Sequence, residues 1–245
     1  MTRRVLDIQT ADGVAKAHLF QPEKPAASRA GVILYMDAFG LRDGLDQMAE
    51  RLAGQGYVVL VPDLFYRFGA YGPFDAKTAF SHEESRAKLM SMLNGTTHEM
   101  TARDTAAFLD TLAAEGATGP IGVTGYCFGG GRALTALATY PDRVVSAASF
   151  HGGNLASDAP NSPHLKAAAM RGRVYIGSAG VDGSFPPEQS ARLESALRMA
   201  GVDYIMENYI GMEHGWTVPD SRVHNPAGAE RHWARLTTFF AETLV

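Results

Sequence analysis

The chain has 245 residues, of which 46% are hydrophobic and 20% charged, with a formal net charge of −4 and one cysteine, Cys127. That length suits one large α/β domain or two small ones, and a globular chain of this size can bury roughly 70–75% of its unfolded surface without staples. The composition excludes a disordered chain, an internal disulfide, a cysteine-built zinc site and an electrostatic footprint for nucleic acid or an anionic membrane.

The N-terminus carries Arg3 and Arg4 but no apolar segment behind them, because Asp7, Gln9 and Asp12 interrupt it, and no stretch reaches the length of a membrane span. A cytoplasmic protein is the expectation. Two strands at about 3–9 and 14–20 form an antiparallel edge hairpin with Asp12-Gly13 as its turn. The short Pro-containing patch from Gln21 to Ser28 reads as a surface turn.

Six apolar runs follow, each suited to a strand buried on both faces: Gly31–Met36, Tyr57–Val61, Ile121–Thr124, Val144–Phe150, Val174–Gly177 and Tyr204–Met206. Helical stripes lie between them. Leu45, Met48, Ala49 and Leu52 make one; Thr105, Phe108, Leu109 and Leu112 a second; Leu193, Leu197 and Ala200 a third; Trp233, Leu236, Phe239 and Phe240 the last. Strands alternating with helices imply a mostly parallel central sheet with helices on both faces, an α/β fold over residues 1–245. Residues 65–100, rich in Phe, Tyr and Met, break the rhythm. They read either as a surface excursion packing its own aromatics or as a lid or pocket wall.

The segment Gly125-Tyr126-Cys127-Phe128-Gly129-Gly130-Gly131 sits between a buried strand and a helix-like run. This is the G-x-nucleophile-x-G layout of a strand–turn–helix elbow, with Cys in the nucleophile's place. Glycines are needed there because side chains two positions either side of the nucleophile collide with the neighbouring strand or helix. The helix N-terminus favours a thiolate and then an oxyanion. Without that context, a lone cysteine reads as a packing residue.

A thiol nucleophile needs a base, and the base an orienting acid; in this fold they follow in the order acid, then histidine. Asp182, just past a buried strand, and His214, in Gly211-Met212-Glu213-His214-Gly215-Trp216, fit that order. Each also has a plain reading, as a turn residue before Gly183 and as a surface histidine. Among eight histidines, His214 alone combines the order, the late-loop position and a flanking glycine; His224 is its nearest competitor. The oxyanion donors are expected to be the N–H groups of Phe128 and Ala38, the latter in the loop Asp37-Ala38-Phe39-Gly40. Asp37 is expected beside Cys127, as a modulator of the thiol; otherwise it starts a turn or caps a helix.

Together, the cysteine elbow, Val61-Pro62-Asp63-Leu64-Phe65, the Asp37–Gly40 loop, Asp182 and Glu213-His214 resemble the dienelactone hydrolase family, a branch of the α/β-hydrolase fold. The resemblance runs from about residue 5 to 243. It implies a Cys–Asp–His triad of Cys127, Asp182 and His214 that opens a lactone or small ester through a thioacyl-enzyme. It implies a small-molecule substrate and no metal or organic cofactor. By the same resemblance Arg86 and Trp216 are substrate contacts. Two departures are visible: Asp37 stands where the family carries Glu, and Val218 stands where it carries a carboxylate-binding Arg. The rival readings are a non-catalytic binding or interaction protein of the same fold and a redox-sensing thiol, the latter weakened by the lack of a second cysteine.

Overall fold

The computed structural model describes residues 1–72 and 74–245. Its strands are β1 (Thr2–Thr10), β2 (Gly13–Gln21), β3 (Gly31–Tyr35), β4 (Val58–Pro62), β5 (Ile121–Tyr126), β6 (Val144–Phe150), β7 (Arg173–Val181) and β8 (Tyr204–Glu213). Its helices are α1 (Asp43–Ala53), α2 (Glu83–Gly95), α3 (His98–Ala114), α4 (Phe128–Thr139), α5 (Pro187–Met199) and α6 (Pro226–Thr243). The strands form a single eight-stranded sheet in the order β1-β2-β4-β3-β5-β6-β7-β8. The pairs β1/β2 and β2/β4 are antiparallel, and every other pair is parallel.

The expected α/β architecture and its antiparallel edge hairpin are therefore present. The hairpin turn is Ala11-Asp12, and Gly13 already belongs to β2. The continuous apolar runs are the strands covered on both faces: β3 and β4 are buried at every position. Two glycines show the covering. A Cβ on Gly31 of β3 would meet Leu112 of α3, and a Cβ on Gly122 of β5, on the other face, would meet Phe240 of α6. On the α6 side, α1 docks through Arg51, which pairs with Glu230 and lies 4.8 Å from the Trp233 ring centroid. No described helix is long and apolar enough to cross a membrane.

The segment 65–100 is more regular than its sequence suggests. Pro73 lies outside the described residues; around it the chain forms a 3₁₀ turn over Tyr66–Phe68, helix α2 and the start of α3. Helix α2 leaves little trace in the sequence because it buries only Leu89 and Met92, so no full apolar stripe is written along it. His82 before it offers no side-chain cap, whereas Thr97 caps α3 by accepting the Met100 N–H at 3.2 Å.

Strand polarity places the functional loops. Strands β3, β5, β7 and β8 run parallel, so Asp37, Cys127, Asp182 and His214 all leave the sheet at carboxyl ends. That edge is where open α/β sheets gather their ligand-binding loops.

Candidate active site

Cys127 sits between β5 and α4 with φ 54° and ψ −116°. This is a left-handed conformation that costs a side-chain-bearing residue on the order of 1–3 kcal/mol and persists only where the surroundings enforce it. The surroundings are backbone. A Cβ on Gly125 would overlap the Gly129 carbonyl, and one on Gly129 would overlap the carbonyls of Tyr35 and Met36 in the neighbouring strand. The glycines flanking Cys127 are thus required by close approach, as the elbow pattern implies. The Cys127 N–H is held twice, by the Phe150 carbonyl and by Nδ1 of His151, each at 3.1 Å.

The structure brings Cys127, His214 and Asp182 together. His214 Nδ1 lies 2.8 Å from Asp182 Oδ2, and His214, Asp182 and Cys127 all line one cavity. Burial works against a charged His214, but the facing thiolate and the Asp182 carboxylate outweigh it and push its pKa up to about 10. Asp182 is held below its ordinary range. Burial opposes its charge, and the hydrogen bonds from His214 and from the Ser184 hydroxyl (2.6 Å) and N–H (2.8 Å) prevail. Ser184 Oγ also lies 3.2 Å from His214 Nδ1, so it touches both partners of the pair.

These groups face a cavity of about 690 Å³ whose walls include Asp37, Ala38, Phe128, His151 and Val218. Phe128 is the first residue of α4, where N–H groups have no intrahelical acceptor, and Ala38 lies in the loop after β3. The far wall comes from the 65–100 segment, through Lys77, Phe80, Met90, Leu93 and Asn94. Phe80 packs edge-on against Phe39 at 5.4 Å, tying that wall to the Ala38 loop.

Three expected contacts differ. Asp37 lines the cavity, but its carboxylate is bound bidentately by Arg42, at 2.6 and 2.8 Å, and also accepts the Phe39 N–H at 3.0 Å. The bond from the Phe39 N–H is the turn contact expected of Asp37, and its charge is matched by Arg42. Arg42 is itself held by Asp220 from the loop beyond His214. Arg86 is exposed on α2 and is not part of the cavity wall, because the face of that helix turned to the protein carries Leu89 and Met92. Trp216 is fully buried behind the site, against Tyr209 (4.8 Å) and His151 (5.1 Å), and does not reach the cavity.

His151 is a site residue that sequence reasoning passed over. Its Nδ1 accepts from Cys127, so its Nε2–H donates to Thr217 Oγ1 at 2.8 Å, and its ring lies 5.1 Å from that of His214. Burial and the neighbouring His214 hold it well below the usual histidine range, as a neutral ring. Its place at the carboxyl end of β6, before Gly152-Gly153, was the available signal.

The chain also matches known proteins. The sequence profile of the dienelactone hydrolase family fits residues 15–244. A carboxymethylenebutenolidase from Rhodococcus opacus is 26% identical over 216 residues, covering 87% of this chain and 81% of that protein. The crystal structure of P91, a dienelactone hydrolase-like promiscuous phosphotriesterase from metagenomic libraries, superposes with a TM-score of 0.83. It is 24% identical and covers 100% of this chain and 99% of that one. The dienelactone hydrolase of Anabaena variabilis ATCC 29413 gives a TM-score of 0.70 at 17% identity, covering 100% and 99%. With the cysteine elbow at the carboxyl edge of its sheet and the profile spanning nearly the whole sequence, the chain belongs to the dienelactone hydrolase family of α/β-hydrolase-fold hydrolases.

Proposed function

We propose that the protein hydrolyses a lactone or small carboxylic ester, with Cys127 as nucleophile, His214 as general base and acid, and Asp182 as the carboxylate that orients His214. One observation carries the reading. A thiol on a strained elbow shares a cavity with a histidine whose Nδ1 is anchored to the Asp182 carboxylate.

The thiolate of Cys127 attacks the substrate carbonyl carbon, and the C=O electron pair moves onto oxygen. The N–H groups of Ala38 and Phe128 hold that oxyanion. Its collapse expels the alkoxide, which takes the proton from His214 and leaves a thioester on Cys127. In a lactone the alkoxide stays tethered to the acyl group. His214 then takes a proton from water, the hydroxide adds to the thioester, and collapse releases the acid and restores the thiolate–imidazolium pair. The Asp182 carboxylate and Ser184 keep the imidazole in one orientation through both halves.

The test is kinetic and covalent together. The wild-type protein should turn over a 4-nitrophenyl ester with a burst and carry the acyl mass on the Cys127 peptide after acid quenching. Cys127→Ala should lose at least about 10⁴-fold in kcat. Full activity in that variant, or an acyl adduct elsewhere, would falsify the mechanism.

A further inference from the structure

Strand order divides the cavity around Cys127 into two sides. Cys127 leaves β5, in the middle of the sheet; the segment after β4 lies on one side of it, and Asp182 and His214, after β7 and β8, lie on the other. On the β4 side the wall is apolar. Phe80, Met90 and Leu93 come from the segment after β4, Phe39 from the loop after β3, and Phe128 packs against Phe65, just past β4, at 5.5 Å. Phe80 and Met90 are 45% and 42% exposed, so they are apolar surface that core packing does not use. The Arg132 guanidinium on this side is covered by Phe128, 3.8 Å from the ring centroid, and its Nη atoms donate to His98 and to the Thr96 carbonyl. Lys77 and Asn94 are exposed to water. On the His214 side the wall carries Asn154, Ser184, Ser221 and Arg222 beside Val218 and Val223.

The reaction assigns a different part of the substrate to each side. His214 gives its proton to the leaving alkoxide, so the alcohol part of an ester lies toward His214. The carbonyl oxygen is held by the N–H groups of Ala38 and Phe128. The remaining substituent of the carbonyl carbon, the acyl chain, is therefore directed away from His214, to the β4 side. The edge contact of Phe80 with Phe39 keeps that wall beside the loop that holds the carbonyl oxygen. A cavity of about 690 Å³ falls among the roughly 300–1,000 Å³ sites that enclose drug-sized ligands, with room for a chain beyond the reacting carbonyl. Exposed apolar side chains grouped in one wall mark a ligand surface, whereas single ones need no explanation.

The geometry points to an acyl subsite built by Phe39, Phe80, Met90 and Leu93, so that the preferred substrates are neutral esters whose acyl part is a medium-length alkyl chain. Phe80 and Met90 are then specificity-determining residues. Each methylene that leaves water for an apolar wall gains up to about fourfold in binding, and about twofold is expected on a wall still partly open to solvent. The carbonyl carbon, not the leaving group, carries the chain, so the subsite discriminates acyl length and is indifferent to the length of the alcohol. The proposal deepens the hydrolase reading and rests on it for its kinetic arms only.

The first kinetic arm compares 4-nitrophenyl acetate, butanoate and hexanoate, after subtraction of the enzyme-free rates. From acetate to hexanoate kcat/KM should rise at least about tenfold in the wild-type protein. In Phe80→Ser/Met90→Ser, where both changes fall on exposed side chains, the hexanoate-to-acetate ratio should drop to about threefold or less. A flat or falling series in the wild type, or an undiminished ratio in the variant, would overturn the subsite. The second kinetic arm lengthens the alcohol instead. The ratio of kcat/KM for hexyl acetate over ethyl acetate, followed by acid release, should be the same in both proteins. A ratio that falls in the variant would put the apolar wall on the leaving-group side and also overturn the proposal. The binding arm needs no turnover. Hexanamide should slow alkylation of Cys127 by iodoacetamide saturably in the wild type, and acetamide at the same concentration should not. Equal effects of the two amides, or equal protection by hexanamide in the variant, would overturn the subsite. If no ester is hydrolysed, the hydrolase reading fails by itself and the alkylation assay still decides the subsite.

Discussion

His151 Nδ1 accepts the backbone N–H of Cys127 at 3.1 Å, so a neutral imidazole holds the Cys127 peptide in its strained turn. The same ring donates to Thr217 in the loop that carries His214. It therefore joins the turn that carries Cys127 to the loop that carries His214. His151→Phe keeps a ring of similar size and loses both bonds. Because misplacement of reacting groups by about 1 Å costs around 100-fold, kcat should fall about 10- to 100-fold with KM changed much less. A rise in KM with kcat intact would show that His151 touches substrate instead.

The Asp37–Arg42 pair makes a second prediction. Arg42→Met leaves a buried carboxylate beside the cavity with no counter-charge, a change that typically costs about 3–5 kcal/mol of stability. The freed charge should also repel the thiolate and slow alkylation of Cys127 by iodoacetamide at neutral pH about tenfold. The double variant Arg42→Met/Asp37→Asn should recover most of both losses. Failure of the second change to rescue the alkylation rate would mean that Arg42 acts through loop shape.

Asp182→Asn tests the orientation of the base. The amide offers an N–H where His214 Nδ1–H now donates, which favours the wrong tautomer. The corresponding change in a serine triad costs about 10⁴ in kcat, and a similar order is expected here for ester hydrolysis. Ser184→Ala removes one hydroxyl while the Ser184 N–H still reaches Asp182, so a loss of about tenfold or less is expected. A Ser184→Ala loss as large as that of Asp182→Asn would place the serine inside the proton-transfer chain.

Stability should follow three buried neutral histidines. Burial pulls His98 and His232 down to about 3 and His151 well below its ordinary value. Below the ordinary histidine pKa of about 6.5 the unfolded chain binds these protons and the folded chain does not, so stability drops as pH falls. The slope is on the order of 1.4 kcal/mol per pH unit for each fully excluded proton. His214 has the opposite sign. Its contribution is complete below about 6.5 and is lost as pH rises toward about 10. Melting temperature against pH should therefore peak near neutrality and fall on both sides. His232→Phe, which keeps a buried ring, should flatten the acid limb; an unchanged acid limb in that variant would refute the assignment.

The strands were legible because burial on both faces writes an unbroken apolar run, as in Val32–Tyr35 and Val58–Val61. The elbow was legible because a nucleophile on such a turn excludes any side chain at Gly125 and Gly129. Helix α2 was not, because a helix that buries two residues carries little periodic signal. Arg86 and Trp216 were misplaced for a related reason: membership in a loop or helix does not say which way a side chain faces. His151 lay in plain view, but its contact with Cys127 joins residues 24 positions apart, with no fixed spacing to announce it.

The sequence by itself determined the sheet and its polarity, the cysteine elbow and the order of acid and histidine after it, because hydrophobic period and local sterics act over a few residues. Only the tertiary structure decided how the charges are matched. Asp37 is paired with Arg42 and Asp182 with His214, while Arg132 is bonded to the neutral His98 ring and the Thr96 carbonyl. That pairing depends on which buried groups come within about 4 Å of each other across different loops, and Coulomb energy at such distances is settled by the fold, not by spacing along the chain.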